Sequence, residues 1–262
     1  MTAVIPAAVE RVLDAKQVVK RFGGLTAVNK VDFHIDSGEI VGLIGPNGAG
    51  KTTFFNCLTG LEELTEGEIR YRGKPLSGRP DAVVKTGLAR TFQNIRLFHN
   101  MTALENVLVG RHCRTSTGPI SAIFRGPKFT REERQSTEAA RGWLDFVGLS
   151  KIEGELAKNL PYGDQRRLEI ARALATDPGL LLLDEPTAGM NPLETRQAME
   201  LVKSIREAGL PVVVIEHDMK FIFNLCDRVA VLVQGQLLVE GTPAEVQSDH
   251  RVIEAYLGSP VE

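Results

Sequence analysis

Two hydrophobic patterns along the chain predict two kinds of β structure. Residues 11–37 alternate apolar and polar positions around Arg21–Gly24, which predicts two antiparallel strands joined by a turn. Uninterrupted apolar runs instead occupy Ile40–Ile44, Leu180–Leu183 and Val212–Ile215. Runs of this kind are typical of parallel strands that are covered on both faces.

Shorter apolar segments and helix signals fill the intervals between these runs. Further strands are predicted over 68–71, within 86–93, and over 229–233 and 236–239, the last two as a hairpin around Gln234 and Gly235. Helices are predicted over Lys51–Leu58, Gln165–Thr176, Lys220–Leu225 and Val252–Leu257, from Asn191 and Pro192 to near Gly209, and from Thr242 and Pro243 onwards. Strands that alternate with helices indicate a parallel sheet with crossover helices.

A helical stretch interrupts this alternation between about residues 93 and 165. Capping boxes formed by Thr102 with Glu105 and by Thr130 with Glu133 predict the starts of two helices. Residues 111–129 between them contain Gly, Pro and Ser, and we predict a long loop there.

Composition and charge narrow the class of protein. The chain has 262 residues, 43% of them hydrophobic and 24% charged, as in ordinary globular proteins. A net charge of −2 argues against sequence-independent binding of nucleic acid. No apolar run approaches the roughly 18 residues of a membrane-spanning helix, and the N-terminus does not match a signal peptide. We therefore predict a cytosolic protein in which Cys57, Cys113 and Cys226 are reduced thiols.

The segment after Ile44 matches the phosphate-binding pattern G-x-x-x-x-G-K-[ST]. This phosphate loop consists of Gly45, Pro46, Asn47, Gly48, Ala49, Gly50, Lys51, Thr52 and Thr53. Its glycines allow positive φ, and its N–H groups and the start of the next helix favour a bound anion. Lys51 would supply a charge for the β- and γ-phosphates, and Thr52 a hydroxyl for Mg²⁺.

Acidic residues at the end of another strand fit the second half of such a site. Asp184 follows the buried run of leucines, so its carboxylate should emerge at the carboxyl edge of the sheet and help to hold Mg²⁺. Glu185 is placed to orient or deprotonate an attacking water. His217 also follows an apolar strand, although a lone histidine there is as often structural as functional. Gln93 alone would be unremarkable.

Together these segments resemble the ATP-binding-cassette (ABC) ATPases. The phosphate loop, Gln93, the segment from Leu160 to Arg167, Leu180–Glu185 and His217 occur in the order of that family. The resemblance implies an α/β fold, a RecA-like P-loop NTPase with a mixed sheet, an N-terminal antiparallel β region and an inserted helical subdomain. On this basis the core comprises residues 1–92 and 166–262, and the helical subdomain with the signature segment comprises residues 93–165.

The resemblance also implies roles for individual residues. Two cassettes should close head to tail, with ATP between one chain's phosphate loop and the other's signature segment. Phe22 resembles the aromatic residue that stacks on adenine, and Gln93 resembles the residue that links the metal and the water to the helical subdomain. Thr52, Gln93 and Asp184 would hold Mg²⁺. Glu185 resembles the general base and His217 the γ-phosphate switch. Residues 188–191 resemble the loop across the dimer contact, although the family usually has Asp where Asn191 stands.

The signature segment departs from the common form L-S-G-G-Q. Here it reads Leu160, Pro161, Tyr162, Gly163 and Asp164. Pro161 replaces a serine hydroxyl that would reach the partner's γ-phosphate, whereas Gly163 keeps its N–H at a helix start. We therefore expect weakened closure and a heterodimer in which the other cassette carries a full signature, although a homodimer stays open. The variant is similar to that of the first ATP-binding subunits of importers for branched-chain amino acids.

Three functions share this chemistry. The first is the ATPase of a membrane importer, bound peripherally to the inner face of the membrane through permease subunits and served indirectly by a solute-binding protein. The apolar residues Ile95, Leu97 and Phe98 could receive a partner helix or pack internally. The second is a non-transport ATPase acting on nucleic acid or ribosomes, and the third is a lipid or lipopolysaccharide exporter. No nucleic acid partner is expected.

Overall fold

The structure is a computed structural model that describes residues 10–114 and 127–257. The described residues divide into two compact units. Unit 1 contains residues 10–83 and 204–257, and unit 2 contains residues 84–114 and 127–203.

The strands are β1 (Arg11–Phe22), β2 (Leu25–Asp36), β3 (Ile40–Ile44), β4 (Glu66–Tyr71), β5 (Lys74–Pro75), β6 (Leu88–Arg90), β7 (Leu180–Asp184), β8 (Val212–Ile215), β9 (Arg228–Val233) and β10 (Gln236–Gly241). The α-helices are α1 (Lys51–Leu58), α2 (Pro80–Thr86), α3 (Ala103–Arg111), α4 (Pro127–Phe146), α5 (Tyr162–Leu174), α6 (Pro192–Glu207), α7 (Met219–Leu225), α8 (Pro243–Ser248) and α9 (His250–Leu257). Short 3₁₀ helices cover His112–Arg114, Ser150–Ile152 and Ala157–Asn159.

Unit 1 contains the antiparallel region that the alternating pattern predicts. Strands β1 and β2 pair antiparallel and meet at Phe22 and Leu25 across a two-residue turn. The sheet continues through β4 and β5, in the order β2-β1-β4-β5. The alternating apolar residues of β1 and β2, such as Leu13, Val18 and Phe33, are buried on one face.

The parallel strands of unit 1 surround β3. Strand β3 pairs in parallel with β8 on one side and with β9 on the other. Strand β10 returns antiparallel beside β9, as the predicted hairpin requires. Every residue of β3 and β8 is buried, which is why both strands read as continuous apolar runs.

Unit 2 combines a pair of parallel strands with helices. Strand β6 pairs in parallel with β7, with Leu88 opposite Leu180. Helix α4 buries one face that includes Ala140 and Leu144. Helix α3 begins with the predicted capping box, since the Thr102 side chain accepts a hydrogen bond from the Glu105 N–H and the Glu105 carboxylate accepts one from the Thr102 N–H.

Two helices begin before their predicted starts. Helix α4 begins at Pro127, so Thr130 lies inside it and the predicted cap of Thr130 is wrong. Proline suits the first helical position because its φ is preset and its missing N–H is not needed there. Of the predicted loop at 111–129, residues 115–126 lie outside the described residues.

Helix α5 begins at Tyr162, not at Gln165. Pro161 is its N-cap, with φ −53° and ψ 153°, and the Gln165 N–H donates to the Pro161 carbonyl over 3.0 Å. The acidic side chain of Asp164 in the first turn suits the positive end of the helix. Part of the signature segment is therefore the first turn of a helix.

All three cysteines lie in the described residues. Cys57, Cys113 and Cys226 are all free thiols. Burial raises the pKa of Cys57 to about 11 and also raises that of Cys226, so both thiols stay protonated and unreactive near neutral pH. Across the stretches 10–114 and 127–257, none of the helices combines the length and apolar character needed to cross a membrane.

Candidate functional site

The phosphate loop leaves the carboxyl end of β3 in unit 1. Because β8 runs parallel to β3, the residues that follow both strands meet at the same sheet edge. His217 lies two residues beyond β8 and is exposed there, and its backbone N–H donates to Glu216 Oε2 over 2.9 Å. The structure therefore brings His217 to the edge that carries the phosphate loop.

Two glycines of the loop occupy positions that no other residue could fill without displacing backbone. Gly45 has φ +150°, and a Cβ there would lie 2.0 Å from the Leu232 carbonyl oxygen. Gly50 has φ +95°, and a Cβ there would lie 2.3 Å from the Ala27 carbonyl oxygen. The loop is also tied to the hairpin turn, because the Gly235 N–H donates to the Ala49 carbonyl over 2.9 Å.

Lys51 reaches back across the loop. Its ammonium Nζ donates to the Gly45 carbonyl over 2.6 Å and to the Pro46 carbonyl over 3.1 Å, and the side chain is buried. Gly50 is the N-cap of α1, and no side chain of the described residues caps that helix. The start of α1 therefore combines the positive end of the helix, the charge of Lys51 and the exposed hydroxyl residue Thr52. This combination suits the binding of a polyphosphate.

The C-terminal helix also contacts this loop. Tyr256 of α9 accepts a hydrogen bond at its hydroxyl from the backbone N–H of Gly45. Burial raises the pKa of Tyr256 to about 12, so this hydroxyl remains neutral. The sequence pattern gave no sign of this contact, because the two residues are separated by almost the whole chain.

Phe22 presents an exposed aromatic ring at the end of β1. Its residue surface is 45% exposed, and Lys20 Nζ lies 4.7 Å from the ring centroid. A large exposed ring of this kind can stack on a planar ligand such as a purine base. The surroundings are thus compatible with the predicted role of Phe22.

Unit 2 contains the predicted metal-binding carboxylate. Asp184 is the last residue of β7, and its Oδ2 lies 2.6 Å from Arg90 Nη2 at the end of β6. The two side chains are only 6% (Arg90) and 5% (Asp184) exposed, so the guanidinium compensates the buried negative charge of Asp184. Sequence reasoning missed Arg90, because no motif marks an ion pair between residues 94 positions apart.

Glu185 and Gln93 meet directly in the same unit. The Gln93 Nε2 donates to Glu185 Oε2 over 2.9 Å. Glu185 has φ +48°, a left-handed conformation that costs a non-glycine residue about 1 kcal/mol or more. The carboxylate is therefore held by a side-chain hydrogen bond on a strained backbone position, which orients it.

The signature segment surrounds the start of α5. Leu160 is buried, whereas Pro161 and Tyr162 are exposed. A Cβ on Gly163 would lie 2.8 Å from Glu194 Oε1, so this helix start packs closely on α6. Asp164 pairs with Arg167 one turn later.

Each unit carries groups that suit the ligands that the motifs imply. Carboxylate and hydroxyl oxygens, here those of Asp184 and Thr52, are hard ligands of the kind Mg²⁺ prefers. The glycine-lined loop with its uncapped helix start has the features that bind phosphate. Unit 1 thus carries the phosphate loop, Phe22 and His217, and unit 2 carries Gln93, Asp184, Glu185 and the signature segment.

Comparison with known proteins decides the family. The family described as ABC transporter matches residues 28–188, and the family described as branched-chain amino acid ATP-binding cassette transporter matches residues 236–262. The chain belongs to the ABC transporter family. The predicted ABC resemblance is therefore confirmed.

Individual relatives agree with this assignment. The cassette is 45% identical over 249 residues to the high-affinity branched-chain amino acid transport ATP-binding protein BraF of Pseudomonas aeruginosa, covering 94% of this chain and 98% of BraF. It is 47% identical over 243 residues to the high-affinity branched-chain amino acid transport ATP-binding protein LivG of Salmonella typhimurium, covering 92% of this chain and 95% of LivG.

A solved structure confirms the fold class. The crystal structure of a nucleotide-free ATP-binding cassette from an ABC transporter has a TM-score of 0.83 and 31% sequence identity, covering 95% of this chain and 100% of that one. The cassette therefore has the predicted P-loop NTPase fold. It is a nucleotide-binding ATPase subunit of an ABC transporter.

The close seating of Gly50 gives a test of the phosphate loop. We expect Gly50→Ala to lower the affinity for nucleotide about tenfold or more, because relief of the contact with Ala27 must distort the loop at a cost on the order of 1–3 kcal/mol. Titration with a fluorescent ATP analogue would measure the change.

Gly24→Ala is the matched control, since a Cβ at Gly24 meets nothing within 4 Å. It should leave the affinity unchanged. Equal affinity of the Gly50→Ala variant and the wild type would show that the loop tolerates a side chain at residue 50. Thermal unfolding of both variants separates loss of binding from loss of fold.

Proposed function

We propose that this cassette hydrolyses ATP to power the import of branched-chain amino acids. The observation that carries the substrate class is the match of residues 236–262 to the branched-chain amino acid transporter family. The described part of this segment includes α9, whose Tyr256 contacts Gly45 of the phosphate loop. The names of the relatives BraF and LivG support the same class.

In this proposal the nucleotide is bound mainly by unit 1. The N–H groups of the phosphate loop and the start of α1 receive the β- and γ-phosphates, with the Lys51 charge beside them. Phe22 stacks on the adenine ring, and its large exposed surface supports this role. His217 contacts the γ-phosphate from the sheet edge that it shares with the loop.

In this proposal Thr52, Asp184 and Gln93 would hold Mg²⁺. When bound, the metal neutralises charge on the phosphate oxygens and favours attack at the γ-phosphate. The buried Arg90 fixes the orientation of the Asp184 carboxylate through their ion pair.

Glu185 acts as the general base in hydrolysis. Its carboxylate orients the attacking water and accepts a proton from it. The hydrogen bond from Gln93 Nε2 to Oε2 of Glu185 orients this carboxylate. We infer that Gln93 in this way also connects the hydrolytic centre to the helical subdomain, residues 93–165, while residues 1–92 and 166–262 form the nucleotide-binding core.

The functional particle needs partners. We infer that two cassettes, as a heterodimer or a homodimer, close head to tail so that the signature segment of each, Leu160–Asp164, completes the other's nucleotide site. Integral-membrane permease subunits hold the dimer on the cytoplasmic face of the membrane, and a solute-binding protein delivers the substrate. Phe98 is 47% exposed and can contact a permease, whereas Leu97 is buried and belongs to the interior.

Co-purification followed by transport tests this function. The tagged cassette should be recovered with hydrophobic membrane subunits, and proteoliposomes of that complex with its solute-binding protein should accumulate radiolabelled leucine only when ATP is present on the cassette side. Recovery with ribosomes or DNA, or ATP-driven export of lipid or lipopolysaccharide without leucine uptake, would overturn it.

The role of Glu185 predicts a separation of binding from turnover. We expect Glu185→Gln to bind ATP with wild-type affinity and to hydrolyse it about 10²-fold or more slowly, because the amide cannot accept the proton. The variant should therefore accumulate as an ATP-bound dimer on size-exclusion chromatography.

Glu138→Gln, which changes an exposed carboxylate of α4 paired with Arg134, is the control and should behave as wild type. Normal hydrolysis by Glu185→Gln would show that another group activates the water.

The Pro161→Ser substitution restores the serine of the common signature and tests the role of the proline. Serine is a favoured N-cap and can adopt the extended conformation of Pro161, so Pro161→Ser should stabilise α5 by about 1 kcal/mol. Its hydroxyl should also add a contact to the partner's nucleotide, and we expect ATP hydrolysis equal to or higher than wild type in a steady-state phosphate-release assay. A clear loss of hydrolysis would mean that the proline itself is required.

A further inference from the structure

Helix α5 contains a buried arginine that the proposed site does not use. Arg166 is 2% exposed and lies one turn after Tyr162. Its Nη1 donates to the Phe92 carbonyl over 2.7 Å, and its Nη2 donates to the Gln93 carbonyl. One guanidinium thus binds two consecutive backbone carbonyls, which fixes the path of the chain at Gln93.

The buried charge of Arg166 is compensated locally. Glu169 is 1% exposed, and its Oε2 lies 3.4 Å from Arg166 Nη1. The Arg96 N–H donates to the other oxygen of Glu169 over 3.2 Å. Arg166 and Glu169 of α5 therefore bind the two ends of residues 92–96, the segment that follows β6.

Arg166 also contacts the signature segment. Its Nη2 donates to the Tyr162 hydroxyl over 3.1 Å, and its guanidinium carbon lies 5.5 Å from the centroid of the Tyr162 ring. The ring edge covers Gly189, where an added Cβ would meet Tyr162 Cε1 at 3.3 Å. Gly189 lies four residues after Glu185. Tyr162 therefore contacts both Arg166, which binds the Gln93 carbonyl, and the loop that follows Glu185.

These contacts form a continuous chain from the signature segment to the general base. We infer that Tyr162 and Arg166 are positioning residues that couple the signature segment to Gln93 and Glu185 of the same chain. The inference rests on the proposed function, in which the signature segment binds the partner's nucleotide. When the partner's nucleotide binds, displacement of Tyr162 shifts Arg166, the Gln93 backbone and the hydrogen bond that orients Glu185. Hydrolysis in each chain therefore responds to the nucleotide in the other site.

The link is tied to the unusual signature of this cassette. Where the common form L-S-G-G-Q has glycine, this chain has Tyr162, whose hydroxyl and ring make the contacts with Arg166 and Gly189. A glycine could make neither contact. The same substitution that departs from the common signature therefore supplies the connection.

Tyr162→Phe tests the link with little risk to folding, because the residue is 43% exposed and the ring can stay on Gly189. In the assembled transporter we expect kcat for ATP to fall about fivefold through loss of one hydrogen bond to a charged group, with KM within about twofold of wild type. Thermal unfolding of the isolated cassette should be unchanged.

A double-mutant comparison separates positioning from general structure. In a Gln93→Leu background, Tyr162→Phe should have no further effect on kcat, because the path to Glu185 is already broken. Arg166→Lys should lower kcat at least as much as Tyr162→Phe, since an ammonium cannot replace the planar fork that binds both carbonyls. Arg141→Lys, at the exposed pair with Glu153, is the matched control and should leave kcat unchanged.

Hydrogen exchange of the isolated cassette provides a readout that needs no hydrolysis. The amides of residues 92–96 should exchange faster in Tyr162→Phe than in wild type, and at equal rates in Arg141→Lys. Unchanged exchange together with unchanged kcat, or fully additive effects of Tyr162→Phe and Gln93→Leu, would overturn the link. A wild-type complex that does not hydrolyse ATP would instead refute the proposed function, while the exchange result would still decide whether Tyr162 supports Gln93.

Discussion

The phosphate loop depends on the close approach of its glycines to backbone carbonyls of two different sheets. Gly45 lies against the Leu232 carbonyl of β9, and Gly50 lies against the Ala27 carbonyl of β2. Because neither carbonyl belongs to a side chain that could turn away, the curvature of the loop is set by the sheets themselves. The antiparallel sheet is therefore a structural part of the phosphate site, in addition to carrying Phe22.

Unit 2 relies on buried charge instead of close backbone packing. Arg90 with Asp184, and Arg166 with Glu169, are nearly inaccessible pairs. Isolated, each of these charges would be costly to bury, but the pairs and their backbone hydrogen bonds compensate one another. Gln93 contacts a residue next to each pair or within it. Its carbonyl accepts a hydrogen bond from Arg166, and its side-chain amide donates one to Glu185, the neighbour of Asp184. Fixed charges thus give this unit directional contacts that apolar packing could not supply.

Local signals in the sequence were enough for most of the fold. Apolar runs identified β3, β7 and β8, and capping residues such as Thr102, Thr242 and Asn191 marked helix starts that the structure has. The starts of α4 and α5 were misplaced, because proline and glycine near a helix start resemble loop residues when only composition is considered. The phosphate loop was found from its motif, since close backbone approach restricts residue type at fixed spacing.

Pairings between distant residues left no such mark. Arg90 with Asp184 and Arg166 with Gln93 join residues more than seventy positions apart, and arginine is common on helices and strand ends for other reasons. The topology decides which residues these arginines meet, so the pairs become visible only in the folded structure. The individual roles of Gln93 and His217 came from the family resemblance, because a single polar residue after a strand has no periodicity or spacing of its own.

The last described helix, α9, contributes to the nucleotide site through the contact between Tyr256 and Gly45. Helix α9 falls in the segment that matches the branched-chain family, yet its tyrosine hydroxyl lies on the first glycine of the nucleotide loop. Ordering of the loop and docking of the helix therefore depend on the same hydrogen bond, so each stabilises the other. A helix in the family-specific C-terminal segment thus also stabilises the conformation of the phosphate loop.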